Sequence, residues 1–288
     1  MTSVVDALGR TVGCPEPARR IVSLVPSETE AVAELSGVGR LAGRTRYCIE
    51  PAGRIEAVPV VGGTKKIEVE AVVALEPDLV LANQEENGRA DVEALIDAGL
   101  VVHVSFPCSV DAALAYSRSL AVLLGVPDDA PALRAASDAF TEAQRALRPS
   151  PLRVFVPIWK DPWMTFDART FASDILELCG AHNVFADRPR HYPLAADLGT
   201  APPLPTERVG DRDTRYPRVP LDEVRARRPD AVLLPDEPYE FSEADVPDLE
   251  PLGVPLVFTS GKDLFWYGTR LRASIPRLRS LLDSIPRP

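Results

Sequence analysis

The sequence predicts an α/β chain of two similar lobes, each with a mostly parallel sheet, joined by one long helix. Three observations carry that prediction. First, the segment Glu70–Glu85 returns as Asp222–Glu237 at a constant offset of 152 residues, from Pro77 to Pro229 and from Glu85 to Glu237. Seven positions are identical in that register: Val72/Val224, Ala74/Ala226, Pro77/Pro229, Asp78/Asp230, Val80/Val232, Leu81/Leu233 and Glu85/Glu237. Each copy reads as a short helix, a Pro-Asp break, a buried strand and an acidic cluster. Second, short apolar strands alternate with helical stretches along the rest of the chain, the pattern of βαβ units. Third, Pro131–Leu147 interrupts that rhythm with Leu133, Phe140 and Leu147 along one helical stripe. Pro149-Ser150-Pro151 follows with no Gly/Ser-rich linker. A length of 288 residues suits two domain-sized units. The expected division is 1–126 for the first lobe, 127–150 for the connecting helix and 151–288 for the second lobe.

In chain order, Val4–Val12 with Gly9-Arg10 reads as a hairpin. Arg20–Pro26 is an apolar strand of the parallel kind. Ser27-Glu-Thr-Glu30 reads as a capping box opening a helix that Gly37 ends. The run Gly37-Val-Gly39-Arg-Leu-Ala-Gly43 is no dinucleotide fingerprint, because it follows a helix rather than a strand. Strands are expected at Leu41–Arg44, Val58–Val61, Leu79–Ala82 and Val101–Ser105, with helices at Ala90–Ala98 and Val110–Leu124. Arg153–Ile158 restarts the pattern, and the helix Ala172–Cys179 stops at Gly180. Asp187–Pro220 is a Pro- and Arg-rich surface excursion, of a length that is usually functional or disordered. Strands at Val232–Leu234 and Pro255–Phe258 and a helix at Ala273–Ser284 close the chain.

Composition narrows the function. A net charge of −10 without a basic stripe argues against nucleic acid. No run of ~18 apolar residues is present, so no membrane insertion is expected. The first ten residues lack a basic n-region and an apolar h-region, so a cytoplasmic location is expected, or an extracytoplasmic one if the natural N-terminus is longer. The four cysteines form no CxxC pair and no metal-finger spacing. Unpaired thiols agree with a reducing compartment. Cys179 reads as core, whereas Cys48 and Cys108 fall in loops where contact with a metal stays open. No metal site is assigned.

Ligands of open α/β sheets sit beyond the carboxyl ends of the strands. That rule gives the candidate ligand-binding set: Tyr47, Glu85, Glu86 and Phe106 from the first lobe, and Trp159, Trp163, Asp236, Glu237, Tyr239, Trp266 and Tyr267 from the second. Asn83, Asn87, Phe166 and Phe265 fall beside them. All three tryptophans are in the set. Aromatic walls with a few polar groups describe a small-molecule site. The carboxylates add a preference for a cation, a donor-rich ligand or a metal complex. Signals for catalysis are thin: Gly-x-Ser-x-Gly, P-loop and His-Glu-x-x-His patterns are absent, and His103, His182 and His191 are scattered. No catalytic residue is assigned, although Glu85 and Glu237 suit an acid–base pair.

Four segments together resemble the iron-chelate/vitamin B12 periplasmic-binding family: Arg20-Ile-Val-Ser-Leu-Val-Pro-Ser-x-Thr-Glu30, Ala-Leu-x-Pro-Asp-Leu-Val-Leu81, Leu-Glu-Leu-Cys-Gly-x-x-Asn-Val-Phe-Ala-Asp187 and Gly-Lys-Asp-Leu-Phe-Trp266. The similarity runs over about residues 4–284 and is nearest the cobalamin-binding branch. It implies two lobes on one long helix with a ligand clamped between them. The expected ligand is a corrinoid or other metal chelate, with no covalent cofactor. Tyr47 and Trp266 match positions that contact the ligand. Glu70 and Asp222, with Glu223 beside it, match carboxylates that dock on an ABC permease. A monomer is expected. Three readings follow: a non-catalytic solute-binding protein serving an ABC importer, a cytoplasmic carrier or sensor of the same ligand, and an enzyme using the strand-end carboxylates.

Overall fold

The computed structural model describes residues 2–14, 16–146 and 150–287. The chain opens with an antiparallel hairpin, β1 (Thr2–Val5) on β2 (Thr11–Cys14). It continues through β3 (Ile21–Ser23), α1 (Pro26–Ser36), β4 (Leu41–Arg44), α2 (Val69–Ala74), β5 (Leu79–Asn83), α3 (Arg89–Asp97), β6 (Val102–Ser105), α4 (Val110–Leu124) and α5 (Pro131–Arg145). Next come β7 (Leu152–Phe155), α6 (Phe171–Cys179), β8 (Ala181–Asn183), α7 (Leu194–Asp197), α8 (Thr206–Val209), α9 (Leu221–Arg227) and β9 (Ala231–Pro235). The chain ends with α10 (Val246–Leu249), β10 (Leu256–Thr259), α11 (Gly261–Phe265) and α12 (Leu271–Ser284).

Packing divides the described residues into two compact units. One takes the chain up to Pro107, Asp111–Asp138 and Trp266–Arg272; the other takes Cys108–Val110, Ala139–Phe265 and the chain from Ala273 onward. Helix α5 therefore belongs to the first unit through Asp138 and to the second from Ala139. Each unit has a four-stranded parallel sheet, β4-β3-β5-β6 in the first and β10-β9-β7-β8 in the second. Numbered from its own first strand, each sheet reads 2-1-3-4. The predicted class, two similar parallel α/β lobes, is the observed one.

The repeated segment recurs as a three-dimensional latch. In the first unit Glu76 takes a left-handed backbone (φ 45°), and Arg228 does the same in the second (φ 50°). Proline follows each and disfavours further helix. The next residue, Asp78, accepts the backbone N–H groups of Arg19 (2.9 Å) and Arg20 (2.8 Å) on its carboxylate. Asp230 accepts that of Arg153 at 2.8 Å. Arg20 caps the end of α2 by donating to the Leu75 and Glu76 carbonyls, and Arg153 caps α9 through the carbonyls of Arg227 and Arg228. Helix end, strand start and the first strand of the sheet are thus fastened at one point, and Arg at helix C-termini is favourable there. The identical valines explain themselves as core: Val72 and Val80 pack in the first unit, Val224 and Val232 in the second.

Several local expectations are corrected. Helix α1 starts at Pro26 after an extended Val25, so Ser27 lies inside the first turn and caps nothing. Pro at the first helical position suits a helix start, because its missing N–H would be unpaired anyway. Glu30 binds Arg270 at 2.7 Å instead of closing a capping box. Val58–Val61 forms no strand of the sheet; an isolated bridge joins Val60 to Arg44. Trp266 and Tyr267, placed by sequence in the second lobe, pack in the first unit. Leu147 and Pro149 of the expected helix and break lie outside the described residues.

Candidate ligand-binding site

A 2-1-3-4 sheet reverses its winding between its first and third strands, and ligands of such sheets sit beyond the carboxyl ends of those strands. In the first unit these ends are Ser23 and Asn83. Asn83 organises the turn that follows: its Oδ1 accepts the backbone N–H of Glu85 (2.7 Å) and Glu86 (3.1 Å), while Asn87 Oδ1 accepts the Asn83 N–H at 2.8 Å. Asn87 in turn donates to the Leu24 and Thr64 carbonyls. The Asn83 amide donates at 3.0 Å to the Ser105 hydroxyl and at 2.9 Å to the Tyr267 hydroxyl.

Behind this turn sits a wholly buried carboxylate, Glu28. Its Oε1 accepts from the Ser105 hydroxyl and, at 2.8 Å, from the Tyr267 hydroxyl. Its Oε2 has no hydrogen-bond partner among the described residues. Burial pushes the Glu28 carboxyl up to about 7, against the lowering pull of the bonds from Ser105 and Tyr267. The Tyr116 phenol, whose ring stands edge-on to Tyr267 at 5.6 Å, pulls more weakly the same way, although its hydroxyl closes no hydrogen bond among the described residues. Nothing in the sequence marks Glu28, Ser105 and Tyr116 as a set with Tyr267, because strand and helix periodicity say nothing of polar partners brought together by the fold.

In the second unit the matching strand ends lead into Trp159 and Asp236. Here aromatic rings form a cluster. Trp159 stands edge-on to Tyr239 at 5.6 Å, Tyr239 lies 4.6 Å from Phe241, and Trp163 stacks on Phe241 at 6.0 Å and 8°. Phe241 is a member that strand direction alone does not single out; its N–H bonds the Tyr239 carbonyl at 3.0 Å, a tight turn beyond the strand end. Lys160 lies 5.8 Å from the Trp163 ring and is anchored by Asp248 (2.6 Å) and Asp245 (2.9 Å), which push its ammonium up. Trp159 keeps 47% of its surface exposed, which leaves a ring face available.

The remaining predicted residues fall into three groups. Tyr47 (57% exposed), Glu86 and Asp236 are exposed, while Glu85, Phe106, Trp163, Glu237 and Tyr239 are half-buried. Trp266 and Tyr267 are buried. Glu86 is reachable by solvent yet hemmed in by protein, which raises its carboxyl; Lys65 opposes this and Glu85 adds to it. Asp236 accepts the Gly261 N–H at 2.6 Å, and a Cβ at Gly261 would collide with Glu237, so the second acidic cluster is built against the start of α11. Of the carboxylates expected to dock, Glu70 and Asp222 are exposed at matching positions of α2 and α9; Asp222 also holds Arg225 at 2.9 Å. Glu223 is engaged by Arg188 (3.1 Å) and Arg227 (3.4 Å).

The cysteines are thiols. Cys48 lies in a loop as expected but is wholly buried beside Thr45 Oγ1 at 3.1 Å, and burial pushes its thiol up. Cys108 Sγ receives Arg215 Nη1 at 3.9 Å. Among the described residues no three His, Cys, Asp or Glu side chains converge as a metal site, and no helix is long and apolar enough to cross a membrane. His103 is buried in β6, and burial lowers it to about 4, in keeping with a structural residue.

The family profile described as periplasmic binding protein matches residues 21–237, most of the chain. The chain belongs to that family. Among curated relatives, the vitamin B12-binding protein of Yersinia pestis (strain Pestoides F) is 26% identical over 281 residues, covering 95% of this chain and 89% of the relative. That of Pectobacterium carotovorum subsp. carotovorum (strain PC1) is 26% identical over 274 residues, covering 93% and 89%. Among solved structures, the periplasmic vitamin B12-binding protein of Vibrio cholerae superposes with a TM-score of 0.70 at 19% identity, over 93% of this chain and 98% of that one. The periplasmic haem-binding protein of Roseiflexus sp. RS-1 gives 0.70 at 18%, over 92% and 98%. As a periplasmic binding protein, the chain is not the cytoplasmic protein that its opening residues suggested. A sorting signal is an address separate from the folded unit, so residues 1–10 are no guide to compartment.

Proposed function

We propose that this periplasmic binding protein is a non-catalytic carrier that takes up a corrinoid or another metal chelate and presents it to an ABC permease. The single observation that supports this most is the extent of the likeness to vitamin B12-binding relatives, 95% of this chain. The exposed and half-buried residues at the strand ends, Tyr47, Glu85, Glu86 and Phe106 in one unit and Trp159, Trp163, Asp236, Glu237 and Tyr239 in the other, are the proposed ligand contacts. Trp266 and Tyr267 support the first unit's set from beneath.

The test is direct. Protein purified from its own host is examined for a corrin or ferric-chelate absorbance band and for metal, then titrated with cyanocobalamin and haemin by calorimetry. A colourless, metal-free preparation that binds neither would remove this ligand class. Trp159→Ala is expected to weaken binding of whichever probe binds by about 1–3 kcal/mol, as for an aromatic anchor. Unchanged affinity would take Trp159 out of the site.

Glu70 and Asp222 are the proposed docking carboxylates. Reversing both, Glu70→Arg with Asp222→Arg, is expected to leave ligand affinity unchanged while stopping uptake through the permease in cells. Uptake at the normal rate would remove both residues from docking.

A further inference from the structure

The Pro- and Arg-rich excursion that leads to α9 holds cations that the strand-end reading does not use. Several arginines in and around it have a carboxylate. Arg169 binds Asp167 at 2.5 Å, Arg188 binds Asp197 at 2.9 Å, Arg215 binds Asp213 at 2.6 Å and Arg227 binds Asp187 at 2.5 Å. Arg190, Arg208, Arg212 and Arg218 of the excursion have no such ion pair among the described residues.

Two of these four lie over one ring. The guanidinium of Arg190 is 4.3 Å from the centre of the Tyr192 ring, and that of Arg212 is 5.3 Å from it. The buried Arg190 Nε has no hydrogen-bond partner among the described residues. Arg218, close enough to feel both Arg190 and Tyr192, donates from its guanidinium to the Tyr216 carbonyl at 2.9 Å. Burial and the nearby charge of Arg190 lower Arg218, with Asp197 and Tyr192 opposing. Asp197 is already committed: it accepts Arg188 at 2.9 Å and the backbone N–H groups of His191 (2.8 Å) and Arg218 (2.6 Å). Like charges held together and partly desolvated are unfavourable unless an anion joins them. Guanidinium forks match the two oxygens of a carboxylate or phosphate.

The cluster is also well placed. The Val219 N–H bonds the Trp163 carbonyl at 2.9 Å, and a backbone bridge joins Arg218 to Met164, so this stretch runs beside the Trp159–Trp163 segment. We propose that Arg190, Arg212 and Arg218 form a receptor for a carboxylate or phosphate group carried by the solute. This rests on the solute-binding reading only in taking the anion as part of the solute; free inorganic phosphate is the other source.

The experiment compares matched probes on the full chain by calorimetry: haemin against its dimethyl ester, cyanocobalamin against cobinamide, which lacks the phosphodiester, and inorganic phosphate alone. Arg190→Gln, Arg218→Gln and the exposed Arg212→Gln are tested beside the unaltered protein, with circular dichroism to check folding. The expected result is tighter binding of the acid-bearing member of a pair, an advantage that the Arg190 and Arg218 variants reduce about tenfold while the neutral member binds as before. If no tetrapyrrole binds but phosphate does, and the variants lose it, the receptor stands and the chelate reading falls. If the neutral probes bind as well as the acidic ones and phosphate does not bind, the receptor is wrong while the chelate reading survives. Binding of no probe at all, or of every anionic probe equally by all variants, overturns the receptor.

Discussion

Trp266→Ala is expected to lower the unfolding free energy by about 3–5 kcal/mol, the range for removing a large buried aromatic side chain. Only 6% of Trp266 is exposed, and it packs in the first unit rather than beside the second unit's strands. The Arg270 guanidinium lies 5.4 Å from the ring centre and pairs with Glu30 of α1 at 2.7 Å. Arg272 holds Glu34 one turn further along at 2.5 Å. Removing the indole opens a cavity and takes away the ring face that helps orient Arg270. Urea unfolding of the variant measures the loss. A drop below about 1 kcal/mol would show that Trp266 is not an anchor of this unit.

The second large effect is a dependence of stability on pH through Glu28. Its carboxyl titrates near 4.5 when unfolded and at about 7 in the folded chain. Between those values the folded state holds a proton that the unfolded state has lost. Stability from this group is therefore fully present below about 4.5 and is lost as pH rises through about 7. The loss amounts to roughly 3 kcal/mol. Glu28→Gln keeps an acceptor for Ser105 and Tyr267 but cannot ionise. Relative to the unaltered protein, the variant should gain about 3 kcal/mol between roughly pH 4.5 and pH 8. A difference that does not change with pH would mean Glu28 is not the buried acid described.

The repeat was legible because its marks are local: a proline, an aspartate and a valine in both the helix and the strand. The latch they form explains why those residue types recur. The capping box misled because Pro26 starts the helix two residues early, which moves Ser27 past the capping position. The Glu28 pocket was not legible at all. Its partners Ser105 and Tyr267 lie 77 and 239 residues away in sequence, and no periodicity links such distances. The aromatic cluster was partly legible, since Trp159, Trp163 and Tyr239 follow from strand direction whereas Phe241 does not. The unmatched arginines were visible only as composition, because which arginines have carboxylate partners depends on the fold.

The segment Trp266–Arg272 gives the chain an order of assembly. Domains generally fold as units, the N-terminal one first as synthesis proceeds. Here the first unit cannot close over Glu28 until Tyr267 has been made, near the end of translation. Its sheet can form early, but its last core residues arrive after nearly all of the other unit, so the two units finish together.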